Sequence, residues 1–365
     1  MHLAWLRLSG FRNYDSLEIE PDIGVNILVG PNGAGKTNIL EAIAYGSKLR
    51  SFRSSPDESL VSTNAEAAVL RLGIERAAGE GRIEIELPRN GRRRVLFNGK
   101  RPQRSSVLAA EFPVVAFLPD DLGIVKGGPA GRRELLDELA SQLTPTTGAD
   151  IDQFKKVLRQ RNSLLKQAGR SVDVMTLDVW DERLATFGAR VLLHRLTLLT
   201  AMAPVLRESY ATVSSANGVL GWRYDSSWAA GCTPNTPQSE AESLLREALL
   251  RRRERDMDMR STSVGPHRDE PTFLLDDRLT RNQASQGEQR SVALSMRLAA
   301  YYLLEERHGR PPVLLLDDVF SELDVERADG VMALMPRGQV FVSSAREDEV
   351  PVGGRRWSVS GGTVT

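Results

Sequence analysis

Val25-Asn26-Ile27-Leu28-Val29 runs straight into Gly30-Pro31-Asn32-Gly33-Ala34-Gly35-Lys36-Thr37, and Asn38-Ile39-Leu40-Glu41-Ala42-Ile43 follows without a break. A short apolar run, a glycine loop and a helix-forming stretch predict strand, loop and helix in that order. The loop has the spacing G-x-x-x-x-G-K-T, in the context where that spacing carries chemistry. Its glycines let the backbone curl until several N–H groups converge on phosphate oxygens, and the helix N-terminus adds the positive end of its dipole. Lys36 supplies a mobile charge for the β- and γ-phosphates of a nucleotide, and Thr37 a hydroxyl for Mg²⁺. Gly30 through Thr37 are thus the expected nucleotide cradle.

Val313-Leu314-Leu315-Leu316-Asp317-Asp318 is the complementary half. Four apolar residues leading into two carboxylates predict a central parallel strand whose carboxyl end meets a ligand. Asp317 is expected in the Mg²⁺ shell with Thr37, and Asp318 is placed to orient or deprotonate an attacking water.

The 365 residues as a whole are 41% hydrophobic and 26% charged, enough to bury a sizeable core and inconsistent with wholesale disorder. No run of eighteen apolar residues predicts a membrane span, and Met1-His2-Leu3-Ala4-Trp5-Leu6-Arg7 lacks the apolar core of a signal peptide. The single cysteine, Cys232, excludes an internal disulfide framework and a multi-cysteine zinc site, and fits a reducing cytosol. Lys and Arg number 48, as do Asp and Glu, so net charge points to no nucleic-acid partner and any basic surface has to be local.

Leu3, Trp5, Leu6 and Leu8 open the chain in strand fashion. Residues 69–96 read as antiparallel β, with Asn90-Gly91 as a two-residue hairpin and Asn98-Gly99 as a second; the apolar stretch 112–118 closes this region. From Arg132 to Arg255 apolar residues fall at helical spacing, as in Leu135, Leu136 and Leu139 or Phe154, Val157 and Leu158. Strand signals return at 271–275, a helix is expected over 287–306, and Val340-Phe341-Val342 is a last strand.

Ser285-Gln286-Gly287-Glu288-Gln289 resembles the signature motif of ABC-type ATPases, and its interval to Asp317 is typical of that superfamily. Ser321-Glu322-Leu323-Asp324 looks like the D-loop. The interval from Lys36 to Ser285 is far longer than in transporter nucleotide-binding domains and far shorter than in the long coiled-coil SMC proteins. Phe11-Arg12-Asn13-Tyr14, Asp121-Leu122-Gly123-Ile124-Val125-Lys126-Gly127 and Val264-Gly265-Pro266-His267-Arg268-Asp269 closely resemble the RecF family of recombination mediators, in the SMC-like branch, and the likeness runs end to end.

The resemblance implies an α/β fold: an ABC-type P-loop ATPase head, with a mixed sheet and an antiparallel β subdomain, over 1–119 and 261–365. A mainly helical arm, 120–260, is inserted between the glycine loop and the signature. ATP and Mg²⁺ are the implied cofactors, with weak DNA-stimulated hydrolysis to ADP and phosphate. The family also implies a monomer when empty and a homodimer with ATP, each ATP held by the loop of one subunit and by Ser285 and Gly287 of the other. Read from the residues alone, Lys36 and Ser285 could meet within one chain or between two; in either case the helix N-terminus at Ser285 is a fitting second anion site for a γ-phosphate. Arg12 resembles a nucleotide-contacting arginine. The implied setting is cytoplasmic, away from any membrane, on double-stranded and gapped DNA at single-strand/double-strand junctions, working with RecR, and through it RecO, to load RecA.

Three positions depart from the superfamily pattern. Asp318 stands where many relatives have Glu, one methylene longer, which predicts slow turnover. Pro119-Asp120-Asp121 replaces the Q-loop glutamine, and Ser343-Ser344 replaces the switch histidine, leaving a hydroxyl for the γ-phosphate but no cation. His267, alone beside Pro266 and Arg268, reads as structural.

Arg89, Arg92, Arg93, Arg94, Lys100, Arg101 and Arg104 cluster around the predicted hairpin, and Lys48, Arg50 and Arg53 follow the first helix. On the residues alone such clusters serve equally as a solvated, edge-protecting face or as a phosphate-tracking surface. The resemblance favours DNA for Lys48, Arg50, Arg53, Arg92, Arg93, Arg94, Lys100 and Arg101. No aromatic residues interleave with them, so contact is expected with the duplex backbone rather than base edges. An alternative, a nucleotide-binding domain serving a transporter, is disfavoured by the long interval before Ser285 and by the missing switch histidine.

Overall fold

The computed structural model describes residues 1–365 apart from 54, 215–217, 324 and 336, and apart from the side chains of 105, 322 and 325. The chain separates into two compact units: Met1–Asp121, Glu208–Asn217 and Arg290–Thr365 form the first, Leu122–Arg207 and Gly218–Gln289 the second.

Along the chain, β1 (His2–Phe11) and β2 (Tyr14–Ile19) form a hairpin, β3 (Val25–Val29) enters the glycine loop and α1 (Lys36–Lys48) leaves it. β4 (Ala67–Arg76), β5 (Gly79–Pro88), β6 (Arg94–Phe97), α2 (Ser105–Glu111) and β7 (Val114–Phe117) follow. Next come α3 (Leu122–Lys126), α4 (Pro129–Leu143), α5 (Pro145–Ala168), α6 (Val174–Val213), β8 (Leu220–Asp225) and α7 (Gln238–Met259). β9 (Glu270–Leu275), β10 (Arg278–Leu279), α8 (Thr280–Gln283) and α9 (Gln286–His308) lead to β11 (Val313–Asp317), α10 (Val325–Ala333), β12 (Val340–Ser344), β13 (Arg355–Ser360) and β14 (Thr363–Val364).

In the first unit an antiparallel sheet, in the order β2-β1-β4-β5-β6, and a mixed sheet, β14-β13-β3-β12-β11-β7, share one core. In the mixed sheet β13, β3, β12, β11 and β7 are parallel. Helix α1 joins the two sheets: Ile39, Leu40, Ile43 and Tyr45 belong to the same buried cluster as Leu6, Leu72, Leu315 and Phe341. The apolar run Ile39 to Tyr45, broken only by Glu41, covers more than one face of the helix and is enclosed in this way. Every residue of β11 and of β12 is buried, as expected of parallel strands covered on both faces.

Several expectations change. β5 and β6 are joined by residues 89–93, a longer connection than the two-residue turn expected at Asn90-Gly91. Asn98 and Gly99, at φ 49° and 74°, do make a tight turn, but it returns only to Lys100. The 112–118 stretch leaves the antiparallel region and pairs with β11 in the parallel sheet. Within the interval read as helical lies β8, where Leu220, Trp222 and Tyr224 alternate with Gly221, Arg223 and Asp225; it pairs antiparallel with β9. That pairing draws residues 270–289 into the second unit, whose boundary falls at Gln289 rather than near 260. Of the expected D-loop, Phe320–Glu322 forms a 3₁₀ turn and Asp324 lies outside the described residues.

The second unit combines the β10-β9-β8 sheet with long helices laced by buried ions. Arg161 of α5 is fully buried; it donates from Nε to Asp181 (2.6 Å) and from Nη1 to Asp256 (2.8 Å) and the Thr262 hydroxyl (2.9 Å). Arg195 of α6 donates to Asp137 (2.9 Å), the Pro266 carbonyl (2.7 Å) and Tyr224 (3.2 Å). Helix α6 is long and apolar enough, by length and composition alone, to cross a membrane. Three of its titratable residues are nonetheless partnered by other helices: Arg190 and His194 by Asp150, and Arg195 by Asp137.

Removing one member of a buried pair strands the other charge, at a cost of about 3–5 kcal/mol. We expect Asp256→Ala to lower the free energy of unfolding by that order and the denaturant midpoint with it, whereas Asp258→Ala, which breaks an exposed pair with Arg170, leaves the midpoint unchanged. Urea unfolding followed by circular dichroism checks both.

Candidate nucleotide site

The parallel registers carry the site. Ser344 pairs with Val29, and Asp317 with Ser343, so the carboxyl ends of β3, β12 and β11 stand side by side. Ligands bind at this edge of parallel sheets. The glycine loop starts here, with the Gly30 N–H donating to the Ser344 carbonyl at 3.3 Å. A Cβ on Gly30 would fall 2.1 Å from the Val359 carbonyl oxygen, so no side chain fits. Gly35 caps α1 at φ 118°, and a Cβ there would meet the Asn13 amide and the Tyr14 hydroxyl at 2.6 Å. Asn13 Nδ2 donates to the Ala34 carbonyl (3.0 Å) and Asn38 Nδ2 to Asn13 Oδ1 (2.7 Å). The Phe11–Tyr14 segment is thus a brace that holds the loop's curl.

Lys36 is buried, and its Nζ donates to the carbonyls of Gly30 (2.5 Å) and Pro31 (3.1 Å). Burial pulls its pKa down, against the opposing fields of Asp318, Asp317 and Glu349. Asp317 Oδ1 accepts two hydroxyls, Thr37 Oγ1 at 2.9 Å and Ser343 Oγ at 2.6 Å. Burial pushes the Asp317 carboxyl up; those hydroxyls and Arg53 work the other way. Asp318 sits at φ 54°, left-handed, with its N–H on the Ser343 carbonyl (3.2 Å) and hydroxyl (3.0 Å). Its Oδ1 is buried without a partner.

These groups line one cavity of about 360 Å³, formed by Asn32, Gly33, Gly35, Lys36, Thr37, Asn38, Arg53, Asp317, Asp318 and Ser343. Lys36, Thr37, Asp317, Asp318 and Ser343 are therefore brought together as expected. Arg12 does not line the cavity. Its guanidinium grips the buried Glu41 with both prongs, at 2.8 and 2.9 Å, and reaches Ser55 and the Ser59 carbonyl. Ser285 lies in the second unit, exposed, where it forms a capping box with Glu288 at the start of α9: Ser285 N–H to Glu288 Oε2 is 2.6 Å, and Glu288 N–H to Ser285 Oγ is 3.2 Å. Gly287 is in the first turn of that helix.

The basic residues divide. Arg53, grouped in the sequence with a surface cluster, is instead a wall of the phosphate cavity, with Nη1 on Asn38 Oδ1 at 3.0 Å. Nothing in its spacing signals this, because the loop that carries it returns only through tertiary contacts. Arg93 holds the end of α1: Nη1 donates to the Leu49 carbonyl (2.6 Å), Tyr45 (3.1 Å) and Asp57 (3.1 Å). Lys48 and Arg50 are half-buried. Arg92, Arg94, Lys100 and Arg101 are exposed, with Arg94 opposite Glu86 in the β5–β6 register.

A P-loop and an acidic strand end meeting at the edge of a parallel sheet, beside an antiparallel lobe and with a mainly helical unit inserted before the signature helix, define the head of an ABC-type ATPase. Comparison with known proteins specifies it further. Residues 2–360 match the profile described as "RecF/RecN/SMC N terminal domain", and the chain belongs to that family. It is 42% identical to the DNA replication and repair protein RecF of Frankia alni over 376 residues, covering 100% of this chain and 99% of that protein. It is 39% identical to the protein of the same name from Streptomyces avermitilis, again covering 100% and 99%. Among solved structures, that of the recombination mediator protein RecF-ATP in the RecFOR pathway superimposes with a TM-score of 0.92 at 32% identity, covering 100% of this chain and 97% of that one. An SMC head bound to the C-terminal winged-helix domain of ScpA shares the fold, with a TM-score of 0.58 at 18% identity.

In the second unit, His267 packs against Phe154 with ring centroids 6.1 Å apart; Nε2 faces the Thr262 carbonyl at 3.1 Å and Nδ1 is buried without a partner. Burial pushes the imidazole down to about 4, from 6.5. The folded protein therefore favours the neutral ring. The stability this provides is complete above pH 6.5 and is lost as pH falls from 6.5 towards 4, by up to about 3 kcal/mol. His267→Gln is expected to flatten the unfolding midpoint against pH over that window relative to wild type, as read by thermal melts at matched ionic strength.

Proposed function

We propose that this chain is an ATP-dependent DNA-binding protein of recombinational repair, a slow ATPase whose ATP-driven pairing clamps DNA at gaps or single-strand/double-strand junctions. In this reading it acts with RecR, and through it RecO, to help load RecA, and it works in the cytoplasm. The observation that carries the reading is the 2.9 Å bond from Thr37 to Asp317, which joins the P-loop and the acidic strand in one cavity of about 360 Å³ within a chain similar to RecF over its whole length.

The backbone N–H groups of the glycine loop would receive the triphosphate, and Lys36 would leave the Gly30 and Pro31 carbonyls for the β- and γ-phosphate oxygens. The Thr37 hydroxyl and the Asp317 carboxylate are hard oxygen donors in mutual contact, and the raised pKa of Asp317 marks a buried acid that a cation would relieve. These residues fit Mg²⁺, which when bound would offset charge on the β- and γ-phosphates. Ser343 orients Asp317 through its 2.6 Å hydrogen bond. The unpartnered Oδ1 of Asp318 is an acceptor free to orient a water and take its proton. Arg53 adds a guanidinium to the cavity wall, where Coulomb attraction favours phosphate.

The nucleotide's terminal phosphate would then bridge two copies, with Ser285 and Gly287 of the second copy supplying a helix N-terminus. Two joined heads would present Arg92, Arg94, Lys100 and Arg101 twice, which raises DNA affinity through effective concentration.

Light scattering after size exclusion tests the pairing. Wild type is expected to double in mass with ATP, Lys36→Met to lose both nucleotide binding and pairing, and Ser285→Arg to bind ATP yet stay monomeric. A wild type that never changes mass would sink the reading. For DNA, replacing Arg92, Arg94, Lys100 and Arg101 by Ala is expected to weaken ATP-dependent binding to gapped duplex equally across sequences. The log–log salt slope should fall by roughly 1 for each phosphate contact removed; fluorescence anisotropy over a salt series measures both.

A further inference from the structure

Where a Q-loop glutamine would stand, the chain has Pro119-Asp120-Asp121, and the structure gives Asp121 a different occupation. Phe117 ends β7 in register with Leu316 of β11, so the turn that begins at Leu118 lies level with Asp317. Asp121 closes that turn: its N–H donates to the Leu118 carbonyl at 3.0 Å, and its Oδ2 accepts the Leu118 N–H at 2.9 Å. The same carboxylate is gripped by the fork of Arg297 on α9, Nη2 to Oδ1 at 2.6 Å and Nε to Oδ2 at 3.0 Å. The Asp121 and Arg297 side chains are only 4% and 11% exposed, so this is a charge-assisted, two-pronged bond with little water to loosen it.

Helix α9 is the helix that Ser285 immediately precedes and whose first turn carries Gly287. Arg297 sits about 18 Å along it from Ser285, at 1.5 Å per residue. A second bond holds the same helix, from Arg327 Nε on α10 to Ser291 Oγ at 3.1 Å. Since α10 follows the turn after Asp318, α9 is tied on two sides to segments that leave the nucleotide strands.

We propose that the Asp121–Arg297 fork is a positioning pair that couples the nucleotide strands to the signature helix, in the place a Q-loop glutamine would occupy. Neither residue lines the phosphate cavity, so the pair acts through others. A displacement of the Leu118–Asp121 turn, level with Asp317, is passed to α9 because a planar guanidinium on both carboxylate oxygens resists rotation as well as stretching. This inference rests on the reading above, that ATP drives two copies together through the start of α9.

The test compares wild type with Asp121→Asn, Arg297→Lys and the double variant Asp121→Asn with Arg297→Gln. Asn keeps an acceptor for the Leu118 N–H, Lys keeps the charge without the fork, and the double variant removes both charges of the fork together. Three quantities are measured: the Kd of the isolated chain for a fluorescent ATP analogue at dilutions that prevent pairing, ATP-driven pairing by light scattering, and kcat. The expected result is a Kd within twofold of wild type for all three, with pairing and kcat each about tenfold weaker in Asp121→Asn and the double variant and intermediate in Arg297→Lys. The proposal is overturned if the double variant pairs and turns over like wild type, or if Kd rises in step with the loss of kcat. Should wild type itself never pair, the functional reading fails separately, and kcat alone decides: a value within twofold of wild type in Asp121→Asn overturns the coupling.

Discussion

Asp317 is a buried carboxylate placed at the end of a wholly buried strand, and two hydroxyls from different parts of the chain converge on one of its oxygens. That convergence is possible only because β3, β12 and β11 run parallel in a register that sets Ser343 beside Asp317 and starts the glycine loop one strand further on. An unpaired acid at this depth would be strongly disfavoured in its charged form. Thr37 and Ser343 offset part of that cost, and the remainder is what makes the position suited to a cation. The braces at Asn13, Asn38 and Glu41 follow from the same need, since a loop built from flexible glycines has to be held open by its surroundings.

The second unit is specified by a different means. Its helices meet through buried arginines, each shared among acceptors from several segments, so sliding one helix by a turn would strand a charge. Such pairs add little net stability compared with apolar packing, but they are intolerant of misregister. The Val264–Asp269 segment belongs to this scheme. Pro266 supplies a carbonyl to Arg195, and Asp269 accepts Tyr224 (2.9 Å) and Trp228 (3.0 Å). His267 is held neutral against Phe154. A motif that marks the family thus acts here in the assembly of the inserted unit, while Phe11–Tyr14, another such motif, supports the nucleotide loop.

The role of arginine differs across the molecule in a way that spacing does not announce. Arg12, Arg93 and Arg297 are each consumed by a specific internal acceptor, Arg53 faces the phosphate cavity, and Arg92 and Arg94 stay in solvent. Burial and the acceptor within reach decide among these fates. Adjacent positions 92, 93 and 94 separate because the connection after β5 brings Arg93, though exposed like its neighbours, within reach of the end of α1.

The sequence by itself determined the phosphate loop, the acidic strand end, the helix start at Ser285 and the helical character of the inserted region. Each of these is a local pattern, in which periodicity or glycine geometry suffices. Tertiary structure alone decided that residues 112–118 join the parallel sheet, that Leu220–Asp225 is a strand, and that the inserted unit continues to Gln289. It alone also turned Arg12 to Glu41, Arg53 to the cavity and Asp121 to Arg297. All of these rest on partners distant in the chain, and a strand's neighbour or an ion's counter-charge is chosen by which surfaces can be buried together, a quantity no local window contains.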